Sequence, residues 1–274
     1  MPKFSIITVN FNDAAGLKKT IESVIGQRFT DYEYLVIDGA STDGSLEVIR
    51  AYEPQLTFWL SEKDKGVYEA MNKGLKHAQG TYVLFLNSGD YFVDENVLLQ
   101  VSPKMKETKD IYYGNLLFHS KKGPFLREYP EKLTFSYFLE RSLPHPGSFI
   151  KRTLFEDLFY YSETFKIISD WEFFIYAICK AEVSYEHLKE TISVFDLQGM
   201  SNKPENKSRI EAEKREVYQK YFQPYYEEAL KYAEQRAVLE NKNIQRLQQL
   251  NQHPTSRKWA SRMLRLVTFI FGKS

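Results

Sequence analysis

The chain has 274 residues, enough for one large domain or one and a half, and 43% of them are hydrophobic, which is ample for a packed core. A net charge of +1 argues against a global attraction to nucleic acid, and no run is long and apolar enough to span a bilayer. The single cysteine, Cys179, excludes an internal disulfide and a cysteine-built metal cluster and points to a reducing cytosol; the first residues read as a core strand, so no export signal is expected. Aromatic content is high at 15%, a composition that sugar-binding clefts share with packed cores.

Phe4 to Val9 is an apolar, β-branched run that stops at Asn10-Phe11-Asn12-Asp13. A helix over 14–27 follows, with Leu17, Ile21, Val24 and Ile25 at helical spacing and Asn12 or Asp13 as N-cap. A second strand, Tyr34 to Ile37, ends in Asp38-Gly39-Ala40-Ser41-Thr42-Asp43-Gly44, and a helix carries Leu46, Val48 and Ile49. A third strand, Leu56 to Leu60, runs into Asp64-Lys65-Gly66 and a helix over 67–78. The fourth, within Thr81 to Phe92, has no polar alternation, so both faces are expected to be buried, with Asn87-Ser88-Gly89-Asp90 at its carboxyl end. This alternation predicts an α/β fold with a single, mostly parallel, doubly wound sheet and right-handed crossovers.

After residue 92 the rhythm changes. Helices are expected over 97–105, 133–139, 153–160 and 170–181, and strands over 111–118, 125–129, 148–150 and 190–196. This mixed half reads as the acceptor side of one domain spanning 1–200, with 1–95 as its nucleotide side. Residues 204–274 read as a helical extension broken near Pro224. At its end, residues 256–271 set Arg257, Lys258, Arg262 and Arg265 beside Trp259, Leu264, Leu266, Val267 and Phe269. That pattern suits a helix on an anionic membrane surface, or one packed on its own domain or on a second copy in a homo-oligomer.

Parallel topology brings the clusters after the first four strands to one sheet edge, where ligands of open α/β sheets bind. Asp38 can accept from a base N–H or a ribose hydroxyl, and Lys65 is a compact cation suited to a phosphate. No glycine-rich dinucleotide or P-loop signature follows the first strand, so phosphate charge falls to a metal and to lysine. One carboxylate, diphosphate oxygens and water suit Mg²⁺ or Mn²⁺, and Asp90 is the natural ligand. Asp170 is the candidate general base, in the first turn of a helix where Ser169 and Glu172 fit a capping box. His145, held between two prolines, is open to three roles: metal ligand, phosphate contact or structural histidine.

Together these residues resemble the inverting family 2 glycosyltransferases of GT-A fold that build bacterial surface polysaccharides. The resemblance is carried by Ser5-Ile6-Ile7-Thr8-Val9-Asn10, Ser23-Val24-Ile25-Gly26-Gln27, Ile37 through Gly44, Asp64-Lys65-Gly66-Val67-Tyr68, Ala70-Met71-Asn72-Lys73-Gly74 and the stretch ending in Asp90. It is specific to about residue 95, looser to about 196, and stops before 204. It implies that Thr8, Asn10 and Asp38 hold the base and ribose of a nucleotide-diphosphate sugar. Asp64 and Lys65 would lie near its base or diphosphate, with Asn87 and Gly89 shaping its seat. Asp90 would bind the divalent metal, His145 would face the metal, phosphates or acceptor, and Asp170 would deprotonate a hydroxyl of a glycan or lipid-linked acceptor. Many relatives read D-S-D-D where this chain has Asn87-Ser88-Gly89-Asp90, so a metal held before the donor arrives is expected to be weak. The enzyme would work in the cytoplasm, or on the inner face of the plasma membrane. Two rival readings remain: a non-catalytic nucleotide-sugar or carbohydrate-binding subunit, and a sugar nucleotidyltransferase, whose arginine-bearing N-terminal loop is absent here.

Overall fold

Four apolar runs form the parallel heart of the sheet: β1 (Phe4–Asn10), β2 (Tyr32–Asp38), β3 (Phe58–Ser61) and β4 (Tyr82–Phe85), in the order β3-β2-β1-β4. The computed structural model describes residues 1–120, 123–196, 203–223, 225–228, 230–231, 245, 257–263 and 265. Every residue of β1 and β4 is buried, as strands covered on both faces require. The connecting helices are α1 (Ala14–Ile25), α2 (Ser45–Tyr52) and α3 (Val67–His77). Asp13 caps α1 by accepting the Gly16 amide at 3.0 Å, and Leu17, Ile21 and Val24 turn into the core beside Phe4, Ile6 and Tyr34. α3 packs against β1 and β2, and the lack of a side chain at Gly74 allows the approach: a Cβ there would lie 2.6 Å from Ile7 Cγ2. Strand order reverses between β1 and β4, which places a ligand crevice at their carboxyl ends.

The second half extends the same sheet. β8 (Ser148–Lys151) runs antiparallel to β4, then come β6 (Ile111–Ser120) and its parallel partner β9 (Tyr185–Asp196), with β5 (Tyr91–Phe92) antiparallel at the end of the path. β7 (Gly123–Arg127) pairs with β6 off that path. Only the Leu86–Asp90 segment separates β4 from β5, yet the two stand at the middle and at one end of the path. The sheet therefore curls around the Asn87–Asp90 turn. The remaining helices of the first part are α4 (Val97–Val101), α5 (Phe135–Glu140), α6 (Leu154–Asp157) and α7 (Ser169–Cys179).

Several expectations need correction. β5 is a two-residue strand that the polar turn before it conceals, and β9 starts at Tyr185 because its polar first half pairs with β6 through irregular register. α4 and α6 are shorter than expected. The capping box at α7 does not form: the Ser169 hydroxyl accepts the Ser162 amide at 2.5 Å, and the Glu172 amide donates to the Ile168 carbonyl instead.

The chain divides into two compact units, Met1–Val217 and Tyr218–Ser274. α8 (Lys207–Tyr221) contributes its residues through Val217 to the first unit. In the second, residues 225–228 and 257–263 are helical. Pro224, the expected break, and Leu264, Leu266, Val267 and Phe269 lie outside the described residues.

Candidate active site

At the carboxyl ends of β1 and β2 a buried polar network forms around Asp38. Its carboxylate accepts from Asn10 Nδ2 (2.8 Å), the Ser41 amide and hydroxyl (3.0 and 2.6 Å) and the Ser61 hydroxyl (2.6 Å). Burial pushes the Asp38 carboxyl up, but these donors outweigh it and hold it below its ordinary value. Asn10 in turn accepts from the Ser88 hydroxyl at 2.8 Å, joining this network to the Asn87–Asp90 turn. Asp64 lies over Gly39, where a Cβ would meet its Oδ2 at 2.6 Å and the Phe11 ring at 3.1 Å. Burial raises the Asp64 carboxyl despite the Gly66 amide it accepts. Phe11, 66% exposed at the tip of β1, presents an aromatic face beside this pair. Thr8 stands apart: it is fully buried, and its hydroxyl is engaged with Tyr34 Oη (2.9 Å) and the Leu86 carbonyl (2.8 Å). Its hydroxyl is engaged within the sheet's interior.

The turn after β4 is fixed by α1. Thr20 Oγ1 donates to the Asp90 carbonyl at 2.7 Å and accepts the Gly89 amide at 3.1 Å. Gly89 adopts φ +95°, a conformation that disfavours the carboxylate side chain found there in the fuller acidic motif. Opposite the turn, His145 sits in a short 3₁₀ turn, His145–Gly147, between Pro144 and Pro146. Its Nδ1 is 3.3 Å from Asp170 Oδ2, its Nε2 is 3.3 Å from Asn87 Nδ2 and 3.9 Å from Asp90 Oδ2, so the imidazole spans the two carboxylates. Tyr68, from α3, donates to Asp170 Oδ1 at 2.9 Å. Burial raises the Asp170 carboxyl, but the hydrogen bond and charge of His145, with Tyr68 and the Trp171 amide, hold it below the usual carboxylate range. His145 shows the converse: burial lowers it, and the bond and charge of Asp170 with the charge of Asp90 raise it on balance.

Asn87, Gly89, Asp90, His145 and Asp170 all line one cleft of about 800 Å³. Asn10 and Asp38 adjoin it through Ser88, while Asp64 and Lys65 do not line it. Lys65 is exposed, and its carbonyl accepts from Lys166 Nζ at 2.9 Å; Lys19, Lys166 and Lys214 line the cleft. Sequence reasoning gave no site role to Tyr68, Thr20, Lys166 or Phe11, and it expected helix over the region of α8 without a part in the cleft. Of these only Phe11 carries a local signal, an aromatic residue between two asparagines at a strand tip. α8 is pinned by Glu213, whose carboxylate accepts the Lys166 and Ile167 amides at 3.0 and 3.2 Å, and it brings Ile210 and Lys214 to the cleft wall.

Among the described residues no group of three His, Cys, Asp or Glu side chains is placed to hold a metal by itself. The turn offers a partial set: the Asp90 carboxylate, His145 Nε2, and Asn87 Oδ1, which is buried without a hydrogen-bond partner. Hard oxygens with one imidazole suit Mg²⁺ or Mn²⁺, provided phosphate oxygens and water complete the shell.

A mixed sheet, parallel at its heart and curled around the turn after β4, gives the chain a GT-A type fold. The fold matches the crystal structure of Staphylococcus aureus TarS residues 1–349 in complex with UDP-GlcNAc, with a TM-score of 0.60 and 22% identity, over 71% of this chain and 58% of that one. The chain thus spans less than two thirds of that solved fragment. The chain belongs to glycosyl transferase family 2, whose model matches residues 5–170. It is 29% identical over 208 residues to a PGL/p-HBAD biosynthesis glycosyltransferase of Mycobacterium bovis, covering 73% of this chain and 80% of that protein. It is 28% identical over 148 residues to the putative teichuronic acid biosynthesis glycosyltransferase TuaG of Bacillus subtilis, covering 52% and 59%.

Proposed function

We propose that the protein transfers a hexosyl or N-acetylhexosaminyl group from a nucleotide-diphosphate sugar to a hydroxyl of a glycan or lipid-linked acceptor, with inversion, in the synthesis of a surface polysaccharide. The observation that carries this reading is the Asp170 carboxylate, kept ionised between Tyr68 and His145 in the cleft that also holds the Asn87–Asp90 turn. A carboxylate so held accepts a proton and keeps a fixed orientation. Asp170 takes the proton of the acceptor hydroxyl as its oxygen bonds to the anomeric carbon and the bond to the diphosphate breaks. One displacement inverts the configuration. Tyr68 and His145 orient the base, and Lys166 adds positive charge to the wall.

Residues 1–95 form the donor half in this reading: Asn10, Asp38 and Asp64 meet the base and ribose, Phe11 stacks on the base, and Gly89 lets the turn approach the donor. Residues 96–200 form the acceptor half. A divalent cation on Asp90, with His145 and Asn87 Oδ1 beside it, neutralises the leaving diphosphate when bound. The TarS complex with UDP-GlcNAc supports a nucleotide-sugar donor, and the names of TuaG and the mycobacterial relative support a role in glycan biosynthesis. No helix among the described residues is long and apolar enough to cross a membrane. Residues 257–263 combine Arg257, Lys258 and Arg262 with exposed Trp259 and Met263, which suits peripheral docking on the anionic inner face of a membrane. Co-sedimentation with anionic vesicles, lost on removing residues 256–274, tests that docking.

A thermal-shift screen of nucleotide sugars with Mn²⁺ tests the donor. A ligand at 100 times its Kd raises apparent stability by about 2.7 kcal/mol. One nucleotide family is expected to stabilise the protein in this way, and no shift with any donor contradicts the reading.

A further inference from the structure

Three cations from three separate elements line the acceptor-half wall of the cleft: Arg127 at the end of β7, Arg141 just after α5, and Lys214 on α8. Aromatic rings hold them. The Arg127 guanidinium lies 4.5 Å from the Phe118 ring centroid, and Lys214 Nζ lies 4.6 Å from that of Trp171. The Tyr129 hydroxyl feels both guanidinium groups: burial pushes it up to about 12, while the charges of Arg127 and Arg141 and a hydrogen bond from Arg127 act against that rise. Trp171 Nε1 donates to the Arg141 carbonyl at 3.2 Å, so the ring under Lys214 is tied to the backbone that carries Arg141.

None of these cations forms an ion pair among the described residues. Among the described residues Arg28, Lys73, Lys104, Lys151 and Arg152 pair with carboxylates, whereas Arg127, Arg141 and Lys214 pair with none. Asp170, in the same cleft, is committed to Tyr68 and His145, and Glu140, which also lines the wall, forms no ion pair with Arg141. Arg127 and Arg141 are exposed and Lys214 is half-buried, and all three line the cleft with no carboxylate paired to them, which favours a bound anion. Burial also pulls the Lys214 ammonium down, against the charge of Asp170.

The position of the wall identifies the ligand. In a single displacement the incoming hydroxyl and the leaving diphosphate lie on opposite sides of the anomeric carbon. Lys214, over the Trp171 ring next to the base, therefore meets the acceptor and not the leaving group, and Arg127 and Arg141 line the same cleft. We propose that Arg127, Arg141 and Lys214 form a subsite for an oxyanion on the acceptor, the phosphate of a phosphodiester-linked chain or the carboxylate of a uronic acid chain. This assignment rests on the transferase reading for the word acceptor, and on charge and geometry for the anion. Lys214 lies outside residues 5–170, the part matched by the family model.

Calorimetric titration of the full chain with three short probes decides it: a glycerol-phosphate trimer, trigalacturonate and neutral maltotriose, each at low and high salt. The wild-type protein is expected to bind one acidic probe at least about tenfold tighter than maltotriose, as charge-assisted bonds to two or more cations imply. Which acidic probe wins separates phosphate from carboxylate. The preference should shrink as salt rises, and Arg141→Gln and Lys214→Gln should each cut it about fivefold, with Arg127→Lys retaining part. Equal binding of acidic and neutral probes, a preference that salt leaves unchanged, or one that survives the Arg141→Gln/Lys214→Gln double variant overturns the subsite. The salt series on the wild type decides the matter should a variant fail to fold. Nucleoside diphosphate titrated separately tests the transferase reading: binding of nucleotide without any acidic preference sinks the subsite alone, and acidic preference without nucleotide binding sinks the transferase alone.

Discussion

Replacing Glu213 with alanine removes the anchor of α8. The Glu213 side chain, in a residue only 8% exposed, accepts two backbone amides, Lys166 at 3.0 Å and Ile167 at 3.2 Å. A hydrogen bond to a charged group contributes about 1.5–3 kcal/mol, and the bond from the Ile167 amide is buried, so solvent does not make up its loss. The Lys166 amide, nearer the open cleft, recovers part of its loss through solvent, so the substitution costs roughly 3 kcal/mol in all. At about 2–4 °C per kcal/mol for a domain of this size, Tm falls by roughly 6–12 °C if α8 unfolds together with the rest of its unit. Amide hydrogen exchange reads the effect locally: Ile167 and the first turns of α8 lose protection, while the amides of β1 and β4 keep theirs. Glu213→Gln retains one acceptor oxygen and loses about half as much. Unchanged protection at Ile167 and across 207–217 would refute the anchoring argument, and with it the placement of Lys214 in the cleft.

Asp38 gives a pH signature. Its folded-state pKa lies below the ordinary 3.8, so its contribution is complete above that value and is lost as pH falls through the folded-state pKa. Asp38→Asn should flatten the acid limb of a stability–pH profile followed by circular dichroism, and an identical limb in the variant would contradict the network. Thr8→Val removes a hydroxyl engaged with Tyr34 and Leu86 and should cost about 1–3 kcal/mol in urea unfolding, with nucleotide affinity retained. Weakened nucleotide binding at unchanged stability would return Thr8 to the donor site. Chelation by EDTA should reduce release of nucleoside diphosphate from the donor by at least about tenfold, Mn²⁺ should restore it, and Asp90→Asn should prevent the restoration. Full activity in EDTA would remove the metal from the account.

β1, β2 and β4 were legible because each is an apolar run cut off by a polar cluster, a pattern set by burial on both faces, whereas half-exposed β3 at the end of the sheet was placed two residues early. β9 was legible only in its second half, since Tyr185 to Lys189 alternate in a way that pairing with β6 accommodates but periodicity does not announce. Asn87, Asp90, His145 and Asp170 could be named from motif and position, and the structure gathers them in one cleft. Thr8 drew attention as a polar residue near a strand end, and its hydroxyl is engaged inside the sheet with Tyr34 and the Leu86 carbonyl. Lys65 was named because it sits in a recognisable loop; it is exposed and does not line the cleft. Tyr68 and Asp170 are 102 residues apart, and Glu213 reaches back 46 residues to Ile167, distances over which no local pattern speaks.

Asp170→Asn tests the central claim most directly. The amide keeps the shape of the carboxylate and its bond from Tyr68 but cannot take a proton. With a nucleotide sugar that stabilises the wild-type protein, Mn²⁺ and an acceptor, initial rates of nucleoside diphosphate release are compared between the two proteins. The account predicts a fall of about 10²–10⁴-fold, with donor affinity changed little. A variant that turns over within a few-fold of the wild-type rate would show that the proton goes elsewhere.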